Sequence, residues 1–397
     1  MAGRCRATRP RFKQLRARTE TESTASTQSA ASVERRTVLV TEPTRLTSRG
    51  RDGAGCVPAR ADGPSAHRGC VTRVVLGRRA VPAAGPGTGA PVSLPRVVVV
   101  LGPTATGKSG LGVELASRLG GEVLNADAMQ LYRGMDIGTA KLSELERREV
   151  PHHLLDILEV TQTASVAAFQ RDARAIITRL RSAGRVPVLV GGSALYLRAV
   201  VDELSFPGTD AEVRARLDAR LAVQGPAELH RRLAELDPVA AEGMLASNGR
   251  RIVRALEVIE ITGQPFSAQL PELGEPRYGA VLLGLELPTE ALDERINGRV
   301  GQMFASGLVD EVRELEGRGL REGRTASRAV GYQQVLAVLD GASDLEQAAE
   351  DTARATRRLV RRQRAWFRRD PRIQWLDGLD DPLGAALRTL DAAGDVV

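Results

Sequence analysis

Residues 97–109 read VVVVLGPTATGKS, and much of the fold can be worked out from this segment. Its opening run, VVVVL, is apolar and mostly β-branched, which is typical of a strand buried on both faces of a parallel sheet. The remainder matches the pattern G-x-x-x-x-G-K-[ST] of a phosphate-binding P-loop. A helical spacing of leucines begins at Leu111. Because strand, loop and helix follow in the order that the motif requires, the segment predicts a site for a di- or triphosphate.

Each part of this loop has an expected role. Its glycines let backbone N–H groups turn toward phosphate oxygens, and the following helix presents its positive N-terminal end. Lys108 supplies a positive charge, and the hydroxyl of Ser109 is predicted to hold Mg²⁺. The predicted phosphate-binding residues are Gly102, Pro103, Thr104, Ala105, Thr106, Gly107, Lys108 and Ser109.

Strand and helix patterns alternate after the loop. Further strands are predicted at residues 122–125, 187–190 and 281–285. A helix is predicted over about 166–183, and helices are expected again up to about residue 368, followed by a short tail. This alternation predicts an α/β fold, a P-loop core with a parallel sheet flanked by helices.

Residues 207–269 have a different pattern, in which charged helical segments dominate and no strand is indicated. We therefore predict a P-loop α/β catalytic core formed by residues 94–201 and 276–390. A helical insertion domain is predicted at residues 202–275.

Residues 1–93 differ from the rest of the chain in charge. They hold 17 Lys and Arg against 6 Asp and Glu, whereas residues 94–397 hold 39 against 43. The net charge of +7 therefore comes from this segment and gives no argument for nucleic-acid binding by the body. With little apolar periodicity, residues 1–93 are predicted to be a disordered basic leader. A targeting peptide and a start codon assigned too early are the alternatives.

All the cysteines, Cys5, Cys56 and Cys70, lie in this leader, and their spacing fits no zinc site. No apolar run approaches the roughly 18–20 residues that span a bilayer. We therefore expect a cytoplasmic protein without a membrane partner.

An acidic residue follows the second predicted strand. Asp127 stands where a strand of an open parallel sheet would end, and such ends face the ligand crevice. In a generic P-loop enzyme, an acid at this place would bind magnesium or its water. The segment around it, residues 125–141, reads NADAMQLYRGMDIGTAK.

Together with the P-loop, this segment resembles the tRNA dimethylallyltransferase family, and the resemblance runs from about Val97 to Trp375. It includes PHHLLD (151–156), VGGSALY (190–196), NGRRIVRALE (248–257), TGQP (262–265), AVGYQQ (329–334), and the residues Thr356, Arg357, Arg362, Gln363 and Trp366–Arg368. The sequence departs from the family pattern where Ala128, Ser193, Ala194 and Ala365 replace the usual Ser, Thr, Gly and Thr.

The resemblance implies a reaction. The P-loop would hold the diphosphate of dimethylallyl diphosphate, and the acceptor would be the N6 amine of the adenosine 3′ of the anticodon in tRNA. An exocyclic adenine amine is a poor nucleophile, so a carboxylate must accept its proton during the attack. The implied catalytic residues are Asp127 as this base, Thr104 near the bridging oxygen, and Arg299 on the diphosphate. The implied cofactor is Mg²⁺, and a monomer is expected.

The resemblance also implies that the helical insertion domain at residues 202–275 contacts tRNA, and it implies which residues contact the anticodon loop. They are Asp127, Ala128, Met129, Gln130, Ser193, Arg214, Arg250, Arg251, Ile252, Val253, Arg254, Arg328, Ala329, Val330, Gly331, Tyr332 and Gln333. To these we add Arg361, Arg362 and Arg364, which belong to a run of nine arginines between residues 354 and 372. In a body of net negative charge, such a concentration favours phosphate binding.

Three alternatives share parts of this pattern. An ATP-dependent phosphotransferase would need the P-loop, but it would not explain the arginines. A prenyltransferase of free adenine nucleotides would not need the helical insertion, and an RNA-binding protein without activity would not need Asp127. His152 and His153 lack further metal ligands and are predicted to be structural.

Overall fold

The structure, a computed structural model, describes residues 96–269 and 273–394. The predictions for residues 1–93 lie outside the described residues. Among the described residues, no helix is long and apolar enough to cross a bilayer.

The core of the fold is a parallel sheet. Its strands in the described residues are β1 (Val98–Leu101), β2 (Glu122–Asn125), β3 (His152–His153), β4 (Pro187–Gly191), β5 (Val281–Glu286) and β6 (Gln374–Asp377). They pair in the order β3-β2-β4-β1-β5-β6. In the centre, Val98 of β1 lies opposite Val188 of β4 and Val281 of β5. Because all strands run the same way, their carboxyl ends meet at one edge, where the P-loop follows β1.

Helices cover both faces of the sheet. The α-helices of the described residues are α1 (Lys108–Arg118), α2 (Val166–Ser182), α3 (Ala194–Val201), α4 (Ala211–Leu236), α5 (Pro238–Glu242), α6 (Gly249–Thr262), α7 (Thr289–Ala305), α8 (Leu308–Gly317), α9 (Tyr332–Leu339), α10 (Leu345–Phe367) and α11 (Pro382–Ala392). Short 3₁₀ helices lie at Ser267–Gln269, Arg277–Gly279, Leu320–Glu322 and Ala326–Arg328. Apolar side chains of α1 and α11 pack on one face, and those of α2, α3 and the end of α10 pack on the other.

Helices α4, α5 and α6 form a cluster with a hydrophobic core of its own, built on residues such as Leu229, Leu233 and Ile252. Helix α4 is interrupted at Gly225, whose φ is 77°, and Pro226 follows without an N–H to donate. That residues 202–275 act as a separate domain stays a prediction.

The predicted α/β fold is confirmed, and the four predicted strands correspond to β1, β2, β4 and β5. The prediction of a short tail after about residue 368 is wrong, because β6 and α11 follow. Strand β6 lies at the sheet edge and buries only Leu376, so no apolar run marks it in the sequence. Strand β3, at the opposite edge, was not predicted either, since its two residues are both histidines.

Candidate active site

The P-loop has the backbone conformation that its glycines allow. Gly102 has a φ of 150°, and a Cβ there would lie 2.7 Å from the carbonyl oxygen of Leu285 on β5. Gly107, at the start of α1, has a left-handed φ of 94°. The motif glycines are therefore required by a close approach of β5 and by the turn into α1.

The loop borders a cavity of about 170 Å³ at the carboxyl edge of the sheet, and Thr104, Lys108, Ser109, Asp127 and Arg299 are among the residues that line it. Lys108 is buried, with its Nζ donating to the carbonyl oxygen of Pro103 at 3.3 Å. Burial lowers the pKa of Lys108 to about 8, while the charge of Asp127 raises it and that of Arg299 lowers it. The cavity wall thus carries the positive side chains of Lys108 and Arg299 and the carboxylate of Asp127.

Asp127 is held in place by its neighbours on the chain. Its N–H donates to Asn125 Oδ1 at 2.8 Å, and its Oδ1 accepts from the N–H of Met129 at 2.9 Å. The buried Asn125 side chain donates to the carbonyl oxygens of Asp127 and Leu154 at 3.0 and 2.9 Å. Asp127 Oδ2 makes no hydrogen bond within the part of the chain that the structure describes. One carboxylate oxygen thus fixes the side chain, and the other is available to accept a proton.

The other two predicted catalytic residues lie together. Arg299 Nη1 donates to the hydroxyl of Thr104 at 3.3 Å, and both side chains line the cavity. Burial lowers the pKa of Arg299, and the charge of Arg295 adds to this effect, but an arginine keeps its proton at neutral pH. The structure therefore brings Asp127, Thr104 and Arg299 around one cavity, and that they are catalytic stays a prediction.

Gln363 of α10 supports the P-loop, although no role for it is predicted from the sequence. Its Oε1 accepts from the N–H of Thr104 at 3.0 Å, and its Nε2 donates to the carbonyl oxygen of Gly192 at 2.9 Å. A Cβ on Gly192 would lie 2.6 Å from that nitrogen, so the contact requires glycine. The signal in the sequence is a Gln that interrupts a run of arginines, Arg361-Arg362-Gln363-Arg364.

His152 also lines the cavity, although it was predicted to be structural. Its Nδ1 lies 2.7 Å from the carbonyl oxygen of Val150, and burial lowers its pKa. His153 instead lies 2.7 Å from Glu122 Oε2. His152 thus forms part of the cavity wall, whereas His153 has the structural role that was predicted for both.

The residues present fit a magnesium ion that is shared with a bound diphosphate. No cluster of three or more His, Cys, Asp or Glu suited to a metal occurs in the described residues. Mg²⁺ usually keeps several waters and takes only one or two protein ligands beside phosphate oxygens. The hydroxyl of Ser109, the last residue of the P-loop and part of the cavity lining, can serve as such a ligand.

The predicted RNA contacts on α6 divide into exposed and interior residues. Arg250 and Arg251 are exposed, whereas Ile252 and Val253 lie in the core of the helical cluster. Arg254 Nη1 donates to the buried Glu257 at 2.7 Å, and Arg214 pairs with the same carboxylate. The two paired arginines therefore stabilise the cluster internally.

Ser193 lies just after β4, and Ala128 lies just after β2. The Ser193 hydroxyl accepts a hydrogen bond from the N–H of Ala128 at 3.4 Å, which joins the segments that follow these two strands.

Near α9, Arg328 and Gln333 are exposed but Tyr332 is fully buried. The Tyr332 hydroxyl donates to Glu311 Oε1 at 2.6 Å. Glu311 also accepts from the backbone N–H groups of residues 136–138 at 3.1, 2.7 and 3.2 Å. The side chain of Tyr332 thus supports the loop after Asp127 from the inside.

The arginines of α10 and the segment after it fall into two groups. Arg361 and Arg362 are exposed and make no ion pair with the described residues, and the same holds for Arg358 and Arg369. Arg364 points inward, where Nη1 donates to the Thr289 hydroxyl at 3.0 Å and Nη2 donates to the Leu287 carbonyl oxygen. The exposed group is available to phosphates, and Arg364 is engaged within the fold.

Comparisons with known proteins agree with this geometry. A family model described as IPP transferase matches residues 130–370. The chain is 65% identical over 298 residues to a tRNA dimethylallyltransferase of Saccharopolyspora erythraea, an alignment that covers 75% of this chain and 96% of that protein. A crystal structure is known for the full-length tRNA isopentenylpyrophosphate transferase of Bacillus halodurans, which is 39% identical in sequence to this chain. The two structures match with a TM-score of 0.56, over 75% of this chain and 96% of that one. A eukaryotic dimethylallyltransferase acting on tRNA is similar at 25% identity and a TM-score of 0.62, with 75% of this chain and 76% of that one covered.

Proposed function

Because the chain belongs to the IPP transferase family, we propose that it is a tRNA dimethylallyltransferase. The reaction moves a dimethylallyl group from dimethylallyl diphosphate to the N6 amine of the adenosine 3′ of the anticodon in tRNA. The products are N6-(dimethylallyl)adenosine and diphosphate. We propose that the enzyme acts as a monomer in the cytoplasm.

The observation that carries this proposal is the arrangement of one cavity. A P-loop with the buried Lys108 lies beside it, and the carboxylate of Asp127, with one oxygen unengaged, lines the same space. A diphosphate on the loop would place its substituent within this space. A carboxylate so placed suits the transfer of a carbon group to a nucleophile that must lose a proton.

In the proposed step, a bond forms between N6 of adenine and C1 of the dimethylallyl group as the bond from C1 to the diphosphate oxygen breaks. The bonding electrons leave with the diphosphate, and Asp127 accepts the proton from N6. Lys108, Arg299 and the loop N–H groups neutralise the charge that develops on the leaving group. Mg²⁺, held by Ser109 and the diphosphate, would add to this neutralisation. The target base must leave its stack to reach Asp127.

The RNA-binding surface is proposed from the exposed residues of the predicted set. Arg250, Arg251, Arg328, Arg361 and Arg362 are exposed, and they come from the helical cluster, the segment before α9, and α10. We propose that these residues hold the anticodon arm through its phosphates, with the helical cluster acting as the RNA-contacting domain. Phosphate contacts position an RNA, whereas the cavity selects the base.

The test is incubation of the full chain with labelled dimethylallyl diphosphate and unmodified tRNA. Label should enter the tRNA, and nuclease digestion should release it as N6-(dimethylallyl)adenosine. Transfer to free adenine nucleotides, or hydrolysis of ATP without transfer to tRNA, would overturn the proposal in favour of the other P-loop enzymes considered above.

A further inference from the structure

A second cavity lies on the face of the sheet that α3 covers. It has a volume of about 290 Å³ and shares no lining residue with the P-loop cavity. Its wall is mostly apolar and includes Leu101, Leu197, Leu282 and the ring of Trp366. Ala194, which follows Ser193 in the chain, also lines it, so the cavity begins next to a residue predicted to contact the anticodon loop.

The rim of this cavity is positively charged. Arg251 and Arg369 line it, and neither makes an ion pair or a side-chain hydrogen bond with the described residues. The carboxylate at the rim, Asp370, is neutralised by Arg372, whose Nε and Nη2 donate to it at 2.8 and 2.6 Å. The unpaired charge that faces an incoming ligand is therefore cationic.

Trp366 is placed to stack with a planar group. Trp366 is 40% exposed. The guanidinium of Arg198, which also lines the cavity, already lies over its ring at 5.7 Å from the centroid, so the ring is used here as a stacking surface for a planar cation. Helical spacing places Trp366 beside the exposed Arg362 on α10. The exposed Arg369 lies in the turn after the helix, where its N–H donates to the carbonyl oxygen of Trp366 at 3.2 Å. Single-stranded RNA is bound by this combination of an aromatic platform and neighbouring arginines.

Two separate segments meet at this cavity. Arg251 comes from α6, and Trp366 and Arg369 come from the end of α10 and the turn after it. Both segments carry exposed arginines that the proposed function assigns to RNA, and here they enclose one apolar space. Phosphate binding alone would not need such a space, but an unstacked base between two bound phosphates would fill it.

We propose that this second cavity binds an unpaired nucleobase of the RNA substrate, other than the adenosine that is modified. The base stacks on Trp366 in the apolar part, and its flanking phosphates lie against Arg251 and Arg369. This inference rests on the proposed function, because it takes the RNA to be the substrate of the P-loop cavity. The enzyme then recognises a second base of its RNA substrate in addition to the adenosine that is modified.

The chain has two tryptophans, Trp366 and Trp375, and this allows a direct test. In the Trp375→Phe variant, saturation with an unmodified anticodon stem–loop RNA should quench the fluorescence of Trp366. The matched Trp366→Phe variant, which reports on Trp375, should show little quenching. Absence of quenching in Trp375→Phe at saturating RNA would overturn the inference, as would quenching by dimethylallyl diphosphate alone.

Affinity provides the second measurement. Trp366→Ala should weaken RNA binding by roughly 5- to 150-fold, the usual effect of removing one base-stacking aromatic, and Trp366→Phe should retain most of the affinity. The salt dependence should not change, because the variant keeps every arginine that binds a phosphate. Prenyl transfer at saturating RNA should stay near the wild-type rate while the KM for RNA rises. Wild-type transfer combined with an unchanged affinity of Trp366→Ala would defeat this inference alone, whereas a wild-type protein that transfers nothing to RNA would defeat the proposed function.

Discussion

The side-chain oxygen of Gln363 accepts a hydrogen bond from the backbone N–H of Thr104 at 3.0 Å, across 259 residues of sequence. The same side chain donates to the Gly192 carbonyl oxygen, next to Ser193. Helix α10, whose outer face carries the exposed arginines, is thereby joined through one amide to the P-loop and to the end of β4.

Replacement of Gln363 by Leu should therefore disturb the P-loop rather than RNA binding. We expect weaker binding of dimethylallyl diphosphate, because the N–H of Thr104 is left without its partner, with tRNA affinity within about twofold of wild type. The effect on diphosphate affinity should be on the order of one broken buried hydrogen bond, about 1–3 kcal/mol. Calorimetric titration of both ligands checks this, and Gln347→Leu, at an exposed position of the same helix, is the control. Equal losses for both ligands would show that α10 as a whole has moved.

Asp127→Asn should abolish most turnover while leaving binding intact. The amide keeps an oxygen that can accept from the N–H of Met129, but it cannot take a proton from the adenine amine. The single-turnover rate with both substrates saturating should fall by roughly 10²–10⁴-fold, the usual contribution of a general base. Asp310→Asn, at an exposed carboxylate of α8, should have no effect. If the Asp127→Asn rate recovers toward wild type as the magnesium concentration rises, Asp127 organises the metal and is not the base.

The lowered pKa of Lys108 predicts opposite effects of pH on diphosphate binding and on stability. Binding favours the charged ammonium, so affinity for dimethylallyl diphosphate should fall as pH rises above about 8. The folded-state pKa lies below the unfolded value of 10.5, so the unfolded chain binds more protons between these values. The free energy of unfolding should therefore rise with pH over the same window. Titrations from pH 7 to 9.5 test both trends, with Lys108→Gln as the control. If the diphosphate affinity of the wild-type protein changes with pH in the same way as that of Lys108→Gln, Lys108 is not the group responsible.

The two groups of arginines on α10 should respond differently to substitution. Arg361→Ala together with Arg362→Ala should weaken tRNA binding and reduce the slope of log K against log salt by about 0.7–0.9 for each phosphate that the variant no longer binds. Arg364→Ala should leave that slope unchanged and instead lower the melting temperature, because its guanidinium bonds to Thr289 and Leu287 inside the fold. Filter binding at several salt concentrations and thermal denaturation separate the two effects. An unaltered salt slope in the double variant would remove α10 from the RNA-binding surface.

Glu257 should be a main source of stability in the helical cluster. Its carboxylate is fully buried and pairs with Arg214 and Arg254, so Glu257→Ala leaves two partly buried cations without their partner. Breaking such a buried pair costs about 3–5 kcal/mol. The matched change Glu260→Ala removes an exposed pair with Arg216 and should cost at most about 1 kcal/mol. Urea denaturation measures both, and similar values for the two variants would contradict the assigned role.

The fold and the P-loop cavity were predictable because their signals are local. The apolar run before Gly102 and the loop itself specify a buried strand, a turn and a helix within one short segment. Edge elements have no such signal: β6 buries a single leucine, and β3 consists of two histidines whose strand character arises only from pairing with β2.

The direction of individual side chains was less predictable. Tyr332 and Arg364 lie in segments that carry an RNA-binding pattern, yet both side chains turn inward to partners far away in sequence. Exposure of an arginine or tyrosine depends on which carboxylate or carbonyl the fold brings near it. Gln363 shows the converse, since its role depends on contacts with Thr104 and Gly192 that no local pattern encodes.

The central position of β1 also fixes an order of events during synthesis. Val98 pairs with Val188 and Val281, which leave the ribosome 90 and 183 residues later. Because a nascent chain emerges N-terminus first, both edges of β1 stay unpaired until β4 and β5 have been synthesised. Contacts between residues so distant in sequence also form slowly. The close approach of Leu285 to Gly102 is made later still. Among residues 94–397, the phosphate-binding loop is therefore one of the first segments to be translated and one of the last to reach its native conformation.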